Sequence, residues 1–123
     1  MAVFREPECA LRAMLEAQQI LASPPDGSPP LILKAGMHIG PCIAVTLNDR
    51  LDYFGSTVNM AARLEALSTG NDVVISRAVY DDPEVRELVT GPGSSLATTR
   101  FEMDLKGFDD ERFELWRVAG RGW

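Results

Sequence analysis

Leu11, Met14, Leu15 and Leu21, with Gln18 on the same spacing and Ala10, Ala13 and Ala17 between them, recur at the interval of an amphipathic helix. The spacing predicts a helix from about Glu6 to Ala22, with Pro7 in its first turn, where a proline removes no needed N–H. Met1-Ala2-Val3-Phe4 ahead of it reads as the tail of a strand. Residues 22–30, which include Ser23-Pro24-Pro25-Asp26-Gly27-Ser28-Pro29-Pro30, hold too much proline for helix or inner strand and read as a connecting loop. Leu31 to Ile39 and Cys42 to Leu47 are β-leaning runs separated by Gly40-Pro41, which predicts a hairpin between them, with Asn48-Asp49-Arg50 as a turn before Leu51. Ser56 or Thr57 can cap a helix that runs to about Ser68 and is stopped by Gly70. Val73 to Ile75 reads as a short buried strand, and Ser76 starts another helical turn. Phe101 to Leu105 and Phe113 to Val118 alternate with period two, so Gly107 to Glu111 reads as the turn of a final hairpin.

The chain has 123 residues, 46% of them hydrophobic, which suits one globular domain. A net charge of −6 argues against a nucleic-acid partner, because phosphate-backbone binding needs a basic face. Any nucleotide must be met by a few placed cations. The apolar runs fall far short of the roughly 20 residues of a membrane helix. The start shows no basic stretch, long apolar run or cleavage signal, so the expected compartment is the cytoplasm. Cys9 and Cys42 lack metal-type spacing and read as buried free thiols.

The segment from Asp52 to Glu65, Asp-Tyr-Phe-Gly-Ser-Thr-Val-Asn-Met-Ala-Ala-Arg-Leu-Glu, holds the densest chemistry. Asn59 and Arg63 are four apart and share one helix face within the first two turns, where free N–H groups and the helix dipole favour an anion. Arginine suits phosphate because its planar fork donates two hydrogen bonds and keeps its charge. Spacing alone leaves open a surface helix with Arg63 facing solvent or a carboxylate and Asn59 assisting the cap. Ala61 and Ala62 would let the helix pack close to a sheet. His38, the only histidine, sits in a strand setting that favours a packed structural role.

This segment resembles the class III nucleotide cyclase catalytic domain, whose pattern is an aspartate, two residues, a glycine, one residue, then Thr-Val-Asn-x-Ala-x-Arg. Gly36-Met37-His38-Ile39-Gly40, Val74-Ile75-Ser76 and Leu105-Lys106-Gly107 extend the resemblance in family order over essentially the whole chain. It implies an α+β fold, a ferredoxin-like or palm-type antiparallel sheet flanked by helices. Residues 1–123 would then form a partial catalytic domain without its N-terminal strand and helix. The implied activity is conversion of ATP to cyclic AMP and pyrophosphate in cyclic nucleotide signalling. Asn59 matches the residue that orients the ribose, and Arg63 the cation that stabilises charge on the α-phosphate. Lys106 matches the lysine on the outer phosphates, and Lys34 stands where relatives often carry a basic residue. Asp52 matches the purine-reading position, where a carboxylate accepts from the adenine amine, favouring ATP over GTP.

Both metal-binding aspartates of the family fall ahead of the stretch that Met1 to Phe4 resembles. Asp26, Asp49 and Asp110 lack the right neighbours to replace them. Ligands for Mg2+ or Mn2+ are therefore expected from a partner protomer or a preceding segment. This chain alone should lack several kcal/mol of transition-state stabilisation. The expected assembly is a homodimer, or a heterodimer with a complete cyclase protomer, in which this chain supplies the purine, ribose and phosphate half of the site. The rival readings are a non-catalytic module that binds nucleotide or mediates dimerisation, and a purely structural remnant.

Overall fold

The structure, a computed structural model, describes residues 5–22, 27–40, 43–47, 50–54, 56–94, 96–104 and 112–120, with backbone alone in the part from 43 to 56. In chain order it contains α1 (Pro7–Ala22), β1 (Ala35–Met37), β2 (Ile43–Leu47), β3 (Arg50–Phe54), α2 (Ser56–Leu67), β4 (Val73–Ser76), α3 (Arg77–Tyr80), α4 (Pro83–Thr90), β5 (Leu96–Asp104) and β6 (Arg112–Gly120). Four strands form one sheet in the order β1-β4-β6-β5, and β2 and β3 form a separate antiparallel pair.

The sheet is covered on both faces, and strand alternation sorts the residues between them. Val73, Ile75, Trp116 and Val118 face one way and pack with Leu11 and Leu15 of α1, Val79 of α3, and Val85 and Val89 of α4. Tyr80 stacks on Trp116 with ring centroids 4.1 Å apart. Val74 and Leu115 face the other way and pack against Met60 and Leu64 of α2. All four residues of β4 are buried, as expected of a strand enclosed on both sides. The helix predicted from Glu6 to Ala22, the buried strand at Val73 and the pairing of the last two strands all occur, while the turn expected at Gly107 to Glu111 lies outside the described residues. The α+β class with helices flanking a sheet holds.

Several expectations need correction. The runs at 31–39 and 42–47 do not form a hairpin with each other: β1 pairs in parallel with β4, while β2 pairs with β3 in the register Ile43 to Phe54. The sheet is thus mixed rather than wholly antiparallel. Ala22 closes α1 instead of opening the connecting loop. Cys9 is exposed, because the buried stripe of α1 runs through Ala10, Leu11, Leu15 and Gln18 and leaves position 9 outside it. Its thiol donates to Glu6 and Glu8 at 3.4 and 3.5 Å, which pushes its pKa up to about 11. That thiol is a poor nucleophile at neutral pH. Cys42 lies outside the described residues.

Helix α4 is an element the hydrophobic pattern did not announce. Only Val85 and Val89, four apart, are buried in it. Its start is nonetheless well specified, since Asp82 accepts from the Glu84 and Val85 N–H groups at 3.0 and 3.2 Å and Pro83 opens the first turn.

A buried carboxylate joins these layers. Asp72, 4% exposed, accepts from Arg117 at 2.9 Å, from the Thr69 hydroxyl at 2.8 Å and from the Thr69 N–H at 3.1 Å. Its backbone carbonyl accepts from Ser68 and from Gln18 of α1. The same Arg117 nitrogen donates to the carbonyl of Leu67, the last residue of α2, at 3.0 Å. Burial pushes the Asp72 carboxyl up, but the bonds from Arg117, Thr69 and Ser68 outweigh it and hold the group below its ordinary value. A carboxyl depressed in the fold stabilises above the unfolded value of about 3.9 and loses that contribution as pH falls through the folded value. Asp72→Ala should therefore cost about 3 kcal/mol at pH 7, at the low end for a broken buried pair because Arg117 keeps some water contact. Urea unfolding should show this deficit narrowing below about pH 4; an equal deficit at pH 7 and pH 3 would contradict the assignment.

Candidate functional site

Helix α2 carries the two residues that the motif singles out. Its inward face is Met60, Leu64 and, at its end, Ser68, all buried, so Asn59 and Arg63 lie one position earlier on an adjoining exposed strip. The structure thus brings an amide and a guanidinium together one turn apart. No acidic residue stands in the first turn of α2, which leaves the positive end of the helix dipole unopposed by its own side chains.

What brings α2 close to the sheet is not its alanines. Ala62 is exposed and Ala61 only half-buried. The close approach comes from Gly36 in β1, whose bare Cα faces the backbone of Leu64 and Glu65. Further along, Gly40 faces the side chain of Thr57 in the first turn of α2. Ile32 packs on Gly70, a residue with φ of +94° that only glycine adopts readily, and this fixes the turn after α2. The chain from 32 to 40 therefore runs along α2 from its C-terminal end to its N-terminal end.

That course places the remaining candidates. Lys34 is exposed and lies between the Ile32 and Gly36 contacts, beside the C-terminal end of α2 and farther from Asn59 than from Arg63 along the axis. Asp52 lies in β3 opposite Val45, on the strand that leads into α2; only its backbone is described. Lys106 is outside the described residues, as are Asp26, Asp49 and Asp110. Among the described residues no group of three or more His, Cys, Asp or Glu converges that could hold a metal ion. The described residues therefore do not by themselves fit a magnesium or manganese site. Among the same residues no helix is long and apolar enough to cross a membrane.

His38 takes the structural role expected of it. Half-buried beyond β1, it shares a hydrogen bond of 2.8 Å between Nδ1 and the Ser76 hydroxyl. Ser76 precedes α3 but does not cap it with its side chain, because its hydroxyl is turned to His38. Sequence reasoning had found the pair Asn59 and Arg63 but not the two glycines that seat their helix. At Gly36 the signal was available, since a glycine inside a strand often marks close approach of another backbone, whereas Gly40 lies past the end of β1 and carries no such mark.

The guanylyl cyclase Cya2 crystal structure superposes with a TM-score of 0.51 over 94% of this chain and 56% of that one, at 18% identity, which speaks to the fold. Residues 8–118 match the adenylate and guanylate cyclase catalytic domain, and the chain belongs to that family. It is 30% identical over 95 residues to a receptor-type adenylate cyclase of Trypanosoma congolense, covering 74% of this chain and 12% of the relative. It is 32% identical over 83 residues to guanylate cyclase 32E of Drosophila melanogaster, covering 65% of this chain and 7% of the relative. The chain thus spans a small part of these relatives, which include cyclases named for each purine.

Burial holds the His38 imidazole below its ordinary pKa. An unfolded chain takes up this proton more readily than the fold does, so stability is lost as pH falls from about 6.5 toward the folded value. Thermal melts of wild type and His38→Phe should therefore converge as pH drops from 7.5 to 5.5. A constant gap over that range would show that His38 does not titrate differently in the fold.

Proposed function

We propose that this chain supplies the purine, ribose and phosphate half of a nucleotide cyclase site that is completed across a dimer, forming cyclic AMP and pyrophosphate from ATP. The observation that carries the reading is that Asn59 and Arg63 share one exposed strip of α2, a helix with no acidic residue in its first turn, within a chain of the cyclase family. In the reaction the ribose 3′-oxygen bonds to the α-phosphorus and the bond to the pyrophosphate oxygen breaks. Asn59 orients the ribose, so that the attacking oxygen is held near the phosphorus. Arg63 donates to the α-phosphate oxygens as their charge grows. Lys106 and Lys34 meet the outer phosphates, with Lys34 reaching them from the C-terminal side of α2.

Asp52 accepts from the adenine amine, and this distinguishes ATP from GTP. The charge neutralisation that Mg2+ or Mn2+ provides in this chemistry would come from ligands on a partner protomer or on another segment of the protein. The site would then form head to tail, in a homodimer or with a complete cyclase protomer. The cytoplasm, where ATP is abundant, is the compartment in which such a site would act.

Cyclic nucleotide formation from ATP and GTP with manganese tests this, using the chain alone and mixed with a cyclase protomer whose own Asn and Arg positions are substituted. Activity is expected only in the mixture, with ATP preferred, and Arg63→Ala should lower kcat by about 100-fold or more. Silence in every mixture, with ATP still bound, would instead favour a non-catalytic nucleotide-binding module, and silence without binding a structural remnant.

A further inference from the structure

We propose that Gly36 and Gly40 are positioning residues that set the height of α2 above the sheet and thereby place Asn59 and Arg63, an inference that rests on the function proposed above. A Cβ added at Gly36 would stand 2.5 Å from the Leu64 carbonyl carbon and 2.7 Å from Leu64 Cβ, and would also collide with the Glu65 nitrogen. A Cβ added at Gly40 would stand 2.5 Å from Thr57 Oγ1 and 3.4 Å from its Cγ2.

The two contacts bracket the working part of the helix. Four extended residues span roughly 13 Å, and the seven helical steps from Thr57 to Leu64 span roughly 10 Å, so one short segment braces α2 at both places. Asn59 and Arg63 fall between them. Neither glycine has the positive φ that would make it necessary for backbone conformation. What each position requires is the space that a missing Cβ leaves. Gly36 also pairs with Val74, whose side chain packs with Leu64, so the strand, its neighbour and the helix meet at one point.

The contacts differ in kind, and this yields a specific test. At Gly36 the obstructing atoms are chiefly helix backbone, so no change of rotamer relieves them and α2 must shift as a body. At Gly40 the obstruction is a side chain, and truncating Thr57 to alanine leaves only its Cβ, at 3.5 Å. A shift on the order of 1 Å at groups that orient a substrate can cost about 100-fold in rate.

Gly36→Ala should therefore keep the circular dichroism of the wild type in the full chain but lower kcat about 100-fold in the mixed-protomer assay, with a smaller change in KM. Adding Leu64→Ala should not restore it, since the backbone atoms and Cβ remain. Gly40→Ala should also lose activity, and Gly40→Ala/Thr57→Ala should return to the level of Thr57→Ala alone. Wild-type kcat in Gly36→Ala, or a double variant no better than Gly40→Ala, would overturn the inference. Hydrogen exchange separates this failure from that of the proposed function. If the wild-type chain supports no turnover, faster exchange at α2 amides in Gly36→Ala, with β4 and β6 unchanged, upholds the seating role, and unchanged exchange overturns it.

Discussion

The Asp72 carboxylate is the constraint on which the arrangement of α2 depends. A buried charge is tolerated only when it is paired and its oxygens are bonded, and here Arg117 and Thr69 meet that demand. In doing so they join the last turn of α2 to the centre of the sheet, because the arginine that neutralises Asp72 also takes the free carbonyl of Leu67. Gln18 reaches the same place from α1, donating to the carbonyls of Leu33 and Asp72. One polar node thus ties together the approach to β1, the end of α2 and the later part of α1. Its disadvantage is also visible: the Gln18 carbonyl oxygen is buried with no partner among the described residues.

The exposed strip of α2 is anchored by these contacts without sharing the burial. Met60 and Leu64 commit one side of α2 to the core, and Gly36 of the neighbouring segment lets the backbones touch. The adjoining side then presents Asn59 and Arg63 on a helix whose end is held by Arg117. A site built on a seated helix is more precise than one on a loop, because its side chains inherit the position of the whole element.

Much of this was legible in the chain, and the omissions have physical causes. Leu11, Leu15 and Gln18 announced α1 because a single buried stripe has one period. The four-residue spacing put Asn59 and Arg63 on one helix face, and only the resemblance to the cyclase pattern singled them out from an ordinary surface helix. The partner of β1 was not legible. Period two tells which face a residue takes but not which strand lies alongside, and the parallel pairing with β4 joins residues 38 apart in the chain, Ala35 with Val73. Helix α4 buries only two side chains, so periodicity had little to register, whereas Asp82-Pro83 did mark its start. The part of Ala61 and Ala62 was misread because smallness matters only on the side that touches something, and here the small residue in contact is Gly36. Cys9 was misplaced for the same reason, lying next to the buried stripe but not on it.

Charge placement gives the last step. With a net charge of −6, the chain as a whole repels a nucleotide at long range, although ions screen this beyond roughly 8 Å at physiological salt. Six arginines, at 12, 77, 86, 100, 112 and 117, each hold a carboxylate, and four of those pairings build a chain along the last hairpin from Arg77 through Glu114, Arg100 and Glu102 to Arg112. There Glu102 and Glu114 stand directly opposite each other, and the flanking arginines offset what would otherwise be a repulsive pair. Such groups contribute little field of their own at a distance. Attraction for a phosphate on such a surface must therefore be local, set by single cations and helix ends rather than by the overall charge.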